Sequence, residues 1–404
     1  VRSLTTLIFL LFFVSTASHA EDASAWNVEM GIQLRHFYDT IAPAPNPAFD
    51  QPTSWKNGLS TSFKLDYSHR WDNDSQKITF TPFLRFDDKD GARTHADVRE
   101  LMWKKSSADL EFNVGIGKVF WGVTEGQHLV DVINQNDQLE DIKGEEKLGQ
   151  FMTRAGWRSD IGLLEMFLLT GFRERPLPGL ESRPGVSLPL DKYAVRYESE
   201  CEQWQPEYAL RWSRRNGNLD LGVSYFNGAN REPIIVPGAT GAGGSRSPYV
   251  FYELMEQYSI DASYLWRDWT LKLEGINRHA NSGNFHAEVY GVEKTFSEFS
   301  GKPWEITAYL EYNRDSRPHA AFQDDYFIGL RMALNDIESS EVKLGRMVDA
   351  HTGSSSLRIE GSSRLTDNWK LKFLGIYFDS QKTGDNLSPY KDDSFIQIEL
   401  VRHW

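Results

Sequence analysis

Period-two alternation recurs along this chain in runs of about 9–11 residues, the length of a tilted membrane-crossing strand. Trp26, Val28, Met30, Ile32 and Leu34 alternate with Asn27, Glu29, Gly31, Gln33 and Arg35. Leu110, Phe112, Val114 and Ile116 alternate with Glu111, Asn113, Gly115 and Gly117. Trp304, Ile306, Ala308, Leu310 and Tyr312 alternate with Glu305, Thr307, Tyr309 and Glu311. Successive side chains on a strand point to opposite faces, so each run has one apolar and one polar face. The pattern confines the chain to an all-β architecture, either a soluble sandwich or a closed transmembrane barrel.

Three features favour the barrel. Trp71, Trp103, Trp157, Trp266, Trp269, Trp304 and Trp369 sit at run ends, where a membrane interface takes amphipathic rings. Short connections (72–76, 106–109, 158–160, 215–218, 267–268, 297–303, 335–339, 365–368) alternate with longer ones (39–56, 87–96, 119–149, 228–249, 280–284, 315–323, 351–355, 380–392), as barrel topology requires. The last run puts Ile396, Ile398, Leu400 and Trp404 on one face, with Arg402 the exception. A terminal aromatic on such a strand resembles the signal read by the outer-membrane assembly machinery. Aromatics make up 13% of a chain that is polar on average, which suits a wet lumen with aromatic girdles. Beyond residue 20 no run of about 18 apolar residues exists, so spanning helices are excluded.

The strand count turns on 173–205. Counting Tyr193, Val195 and Tyr197 as a membrane strand would reverse the parity of everything after it. Pro176, Pro178, Pro184 and Pro189 disfavour ladder strands, so the segment is read as one long loop. The expectation is then a transmembrane antiparallel up-and-down barrel of about 18 strands; 16 and 20 stay open. Short turns would be periplasmic and long loops external.

The N-terminus reads as an export signal. Arg2 is followed by an apolar stretch at 7–14 (LIFLLFFV) and by Ala17-Ser18-His19-Ala20, a small-x-small cleavage pattern. Residues 1–20 are expected to be removed, leaving 21–404 as one barrel domain. The formal charge of −13 becomes one unit more negative without Arg2, which argues against nucleic acid as a partner. Cys201 is the only cysteine, so no internal disulfide forms and tetrathiolate zinc is excluded. No metal or cofactor motif stands out. The stretch 238–244 (GATGAGG) lacks the Gly-Lys-Ser/Thr of a phosphate loop, and Asp88-Lys89-Asp90-Gly91 is only a fragment of a calcium loop.

Two sets of residues are candidates for function. The loop 119–149 carries Glu125, Asp131, Asp137, Glu140, Asp141, Glu145 and Glu146 against Lys143 and Lys147; His128 lies among them. Apolar anchors at 129–133 would let this loop pack. Folded inward it would narrow a pore and make it negative, which favours cations; folded outward it would be a solvated cap. The second set is the polar face of the wall: Arg35, Lys64, Asp66, Arg85, Glu111, Arg211, Glu305, Glu311, Arg331 and Arg358. Bases and acids nearly balance there. The segment 173–205, with Arg173, Arg175, Arg183 and Arg196, could face the acidic loop from inside or lie outside.

The mature chain resembles porin-type outer-membrane proteins. Phe120-Trp121-Gly122-Val123-Thr124-Glu125 running to Asn134-Gln135-Asn136-Asp137, and 204–233 (WQPEYALRWSRRNGNLDLGVSYFNGANREP), resemble an uncharacterised porin-like Gram-negative family. The whole is loosely similar to alginate-export-type 18-stranded barrels. The resemblance implies a Gram-negative outer membrane, with its lipids and lipopolysaccharide as surroundings, and no catalytic residues. The leading expectation is a channel for diffusion of small polar solutes, narrowed by 119–149. The alternatives are a plugged barrel with an export, assembly or adhesion role, and a lipid-modifying enzyme, for which outward faces offer few Ser–His neighbours.

Overall fold

The computed structural model describes residues 23–39, 55–179, 182–184, 195–236, 240–241, 244–245, 248–317, 320–382 and 385–404. The export signal expected at 1–20 and Tyr193 lie outside them. Eighteen strands form one antiparallel sheet. They are β1 Ala23–Phe37, β2 Asn57–Trp71, β3 Gln76–Asp87, β4 His95–Ser106, β5 Leu110–Gly117, β6 Gln150–Ser159, β7 Gly162–Leu169, β8 Glu207–Asn216 and β9 Leu219–Ala229. The second half comprises β10 Leu254–Trp266, β11 Trp269–Ala280, β12 Gly283–Phe296, β13 Glu305–Asp315, β14 Asp324–Ala333, β15 Glu341–Asp349, β16 Ser355–Thr366, β17 Trp369–Asp379 and β18 Phe395–His403. Each strand pairs with its neighbours in sequence, and β1 pairs with β18 from Glu29↔His403 to Phe37↔Phe395. That last ladder closes the barrel and leaves no sheet edge, the only way a sheet crosses lipid with its backbone satisfied.

Alternation sets the two faces. On β1, Gly31, Gln33, Arg35 and Phe37 are buried while Met30, Ile32 and Leu34 are exposed. An exposed apolar outer face continues round the barrel through Leu84, Phe112, Leu210, Ile260, Leu310, Ile328 and Ile398, the surface a membrane covers. All seven tryptophans singled out above lie at the short-turn rim. Toward the long-loop rim the outward aromatics include Tyr225, Tyr258, Tyr312 and Tyr326, which pack in neighbouring pairs.

The strand count and parity hold. Val195–Tyr197 is a strand, but it pairs parallel with Tyr249–Tyr252, which pairs with Ile234–Val236. This small sheet belongs to the loops and leaves the barrel at 18. One connection departs from expectation: 280–284 is no long loop, because β11 and β12 run on to Ala280↔Gly283 and leave a two-residue turn.

Turn chemistry is local. In the β2–β3 turn Asp72, Asn73 and Asp74 all take positive φ, which short Asx side chains tolerate best among residues with a Cβ. Gly115 in β5 is required by close approach. Its φ is 137°, and a Cβ there would lie 2.1 Å from the Leu101 carbonyl oxygen. Gly115→Ala should therefore cost ~1–3 kcal/mol in strain. The expected result is a lower unfolding temperature in heat-modifiable gel mobility; an unchanged transition would contradict the contact.

Candidate functional site

The connection 118–149 lies inside the barrel. Its neck is closed by Asn134, whose Nδ2 donates to the carbonyls of Gly117 and Leu148 (2.8 Å each) and whose Oδ1 accepts from Val119 N (2.8 Å). Beyond this neck Trp121, Leu129, Val130, Val132 and Ile133 pack on Met152, Phe167, Leu169, Ala209, Phe226, Met255, Ile276, Ala287 and Val289. Those partners are inward residues of β6 to β12, so this arc of the wall carries an apolar patch on its otherwise charged inner face. Fully burying a side chain such as Ile133 stabilises by about 1.5–3 kcal/mol. The sequence carries a trace of this receiving surface. In β7 (GLLEMFLL) both faces are apolar, as in a strand covered on both sides.

Two wall carboxylates hold the loop backbone. Glu274 accepts from Val123 N (2.7 Å), Thr124 N (3.0 Å), Thr124 Oγ1 (2.6 Å) and Val130 N (3.2 Å). Glu311 accepts from Glu125 N (2.7 Å) and Gly126 N (2.8 Å). Gly126 is needed there: a Cβ would meet Phe327 Cβ at 2.9 Å. On the far side of the lumen Arg85 pairs with Glu140 (2.7 Å), Arg99 with Asp137 (2.8 Å) and Arg358 with Asp141 (2.8 Å), while Lys272 reaches Glu125 (3.2 Å). The loop thus touches β3, β4, β11, β13 and β16 and crosses the barrel.

These pairs revise the electrostatics expected from sequence. The remaining acids also have cations, Asp131 with Lys147 (3.1 Å), Glu145 with Lys143 (2.5 Å) and Glu146 with Lys118 (2.9 Å). No naked acidic cluster forms among the described residues. The seven acids instead divide by accessibility. The Asp131, Asp137 and Glu140 side chains are 0%, 1% and 9% exposed, whereas Glu125 and Glu145 are 46% and 45% exposed. Buried, paired carboxylates fasten the loop; the accessible ones can act on a solute. His128 packs edge-on to Phe120. Burial, then the charge of Lys143, lowers its pKa to about 4, so it is neutral at pH 7.

The wall candidates all share the inward face in the strand registers, and cross-strand pairs stitch them together. Lys64 bridges Asp66 (2.9 Å) and Glu29 (3.8 Å); Glu111 accepts from Lys104 (2.5 Å) and Arg154 (2.8 Å). Arg211 grips Asp261 through two hydrogen bonds of 2.7 and 2.9 Å. Arg331 joins Glu341 (2.5 Å) and Glu305 (3.8 Å), and Arg358 also binds Glu360. Arg35 is held by neutral groups, the Gln397 Oε1 (2.8 Å) and the Arg183 carbonyl (3.1 Å).

The connection between β7 and β8 is also drawn against the inner loop. Arg173 bonds Asp97 and the Gly149 carbonyl, and Arg175 bonds Gln135 and the Arg231 carbonyl. Arg183 is buried on Asp393 (2.8 Å), beneath the Phe37 ring. Arg196 lies apart, over the Tyr249 ring in the small loop sheet. Between Arg35, Arg93, Arg183 and the 138–142 stretch remains a cavity of about 20 Å³, room for one water. A cavity of about 570 Å³ opens at the short-turn end, lined by Arg158, Arg211, Arg215, Asp220 and Asp261 among others. Sequence reading missed Asn134, Arg99, Arg93 and Glu232 as site residues. Arg99 and Glu232 act through partners remote in the chain, Asp137, Arg278 and Arg317, whereas Asn134 closes its own loop and Arg93 pairs with nearby Asp87.

One Ser–His neighbour pair does occur on the outer face. Ser24 Oγ and His69 Nδ1 are 2.9 Å apart, and the ring stacks on Trp71. Among the described residues nothing orients the other ring nitrogen, which a nucleophilic pair requires.

The closed 18-stranded barrel, with an apolar exterior, a charged interior and an inward loop, has a porin-like β-barrel fold. Its fold is similar to that of OccK5 (OpdH) of Pseudomonas aeruginosa, with a TM-score of 0.52, 10% identity, and coverage of 95% of this chain and 97% of that one. OmpT of Vibrio cholerae aligns at a TM-score of 0.47 and 9% identity, over 95% and 100% of the two chains. No protein-family model and no curated protein sequence matches the chain.

Proposed function

We propose that the protein is an outer-membrane channel for diffusion of small polar solutes, narrowed by 118–149. The observation that carries this reading is that Glu125 and Glu145, on a loop that crosses the barrel, keep nearly half their side-chain surface accessible. Solutes would pass beside them, on the side of Lys143 and Lys272, and leave through the wider cavity at the short-turn rim. The chain would be exported by residues 1–20, with short turns in the periplasm and lipopolysaccharide against the opposite rim.

Planar-bilayer recording of the purified protein tests this: absence of unitary steps would remove the channel. Given steps, Glu125→Gln with Glu145→Gln should lower the cation-to-anion permeability ratio severalfold, since a unit charge at 4 Å in a water-like medium is worth about 1 kcal/mol. An unchanged ratio in that double variant would show that ions pass elsewhere. The water-sized gap at Arg35 favours a second reading, a plugged barrel with an export, assembly or adhesion role, which predicts no steps at all.

A further inference from the structure

On the long-loop side of the lumen one carboxylate pairs with two arginines and stands near a third. Glu232 Oε1 is 3.1 Å from Arg278 Nη1, and Glu232 Oε2 is 2.7 Å from Arg317 Nη1. Arg175 contributes to the same field. Crowding by protein in the lumen would raise the Glu232 pKa although its side chain keeps solvent access, but Arg278 and Arg317 outweigh that and hold the group at about 2. The three cations are poorly compensated otherwise. Arg278 donates through Nε and Nη2 to the amide oxygen of Gln257 (3.0 and 2.8 Å). Arg175 likewise meets the amide oxygen of Gln135 (3.1 Å) and the Arg231 carbonyl (2.6 Å). Among the described residues only Arg317 has a second carboxylate, Asp315 (2.6 Å). Amide oxygens orient a guanidinium without neutralising it, and a guanidinium so oriented is matched to a carboxylate.

The Arg278 side chain is 6% exposed, packed with Arg317 around the Phe285 ring, which fixes both forks. Glu232 is different: its side chain is 46% exposed and stands on the connection between β9 and β10. It can withdraw without breaking the barrel ladder.

We propose that Arg278 and Arg317, with Arg175 bonded to the neighbouring Arg231 carbonyl, form an entry subsite for the carboxylate of a small organic acid, and that Glu232 is a tethered competitor the incoming carboxylate displaces. The proposal rests on the channel reading for its role in passage, but the binding stands apart from conductance. The competitor keeps the site from being a trap: an acid binds by exchange and leaves by exchange.

Calorimetric titration of the detergent-solubilised protein with succinate tests it, with succinamide as the uncharged control. Glu232→Gln should bind succinate about tenfold more tightly, and Arg317→Gln about tenfold more weakly, each charge-assisted contact being of that order. Succinamide should give no heat with either. Equal affinity of wild type and Glu232→Gln, or a Glu232→Gln variant that binds no succinate, would overturn the proposal. So would an Arg317→Gln variant that binds as wild type does. Both residues lie on connections, and heat-modifiable mobility confirms folding. Normal titrations with no bilayer steps would discard the channel and keep the subsite; steps with unaltered titrations would do the reverse.

Discussion

Replacing 125–147 by a short glycine–serine link should raise the unitary conductance and turn the channel toward anions. The segment removes seven carboxylates and two lysines, so the lumen gains five units of positive charge. The gain is concentrated where the loop docks. Arg85 would lose Glu140, its one carboxylate among the described residues, keeping Gln33 and Ser60. Arg99, Lys272 and Arg358 would each lose one of two, keeping Asp97, Glu293 and Glu360. Fixed charges on a pore wall set ion preference at close range, so the reversal potential in a salt gradient should move toward the anion side. The barrel ladder has no hydrogen bond in this segment and should close as before. Unchanged conductance and selectivity in a folded deletion variant would mean that 118–149 does not form the narrowing.

Glu274→Ala should free the loop while leaving the barrel closed. Glu274 is fully buried, and its carboxylate is the acceptor for three loop N–H groups and a threonine hydroxyl. Each of the three N–H groups left without that acceptor costs about 1–3 kcal/mol, while Thr124 Oγ1 can turn to the Gln127 carbonyl; together this is comparable to what two or three buried aliphatic contacts return. Local opening then becomes accessible without global unfolding. Protease cleavage within 125–147 should accelerate at least about tenfold, and single-channel current should become noisier. Glu274→Gln, which keeps one acceptor oxygen, should fall between. Wild-type resistance to protease in Glu274→Ala would show that the apolar wedge alone holds the loop.

The barrel itself was legible because its signal is local. A strand announces its two faces through residues two positions apart, as Trp26 to Leu34 do, and the parity of turns and loops follows from run lengths. The prolines argued against a ladder strand in 173–205, and among the described residues the short strand at Val195–Tyr197 pairs with another loop segment, Val250–Tyr252. The two-residue turn at 281–282 was misjudged because Asn281 and Ser282 sit among polar residues that look like loop. The apolar run of β7 also hinted that something covers the inner wall there.

Sequence alone therefore pointed to a closed antiparallel barrel of about 18 strands, with 16 and 20 left open, and to the two faces of each strand, since these depend on neighbours along the chain. Only the tertiary structure decided what the acidic loop does. Its charge looked free because its partners are remote: Arg358 is 217 residues from Asp141 and Arg85 is 55 from Glu140. Coulomb energy depends on distance through space, and a period-two pattern carries no information about which wall residue faces which loop residue across a lumen.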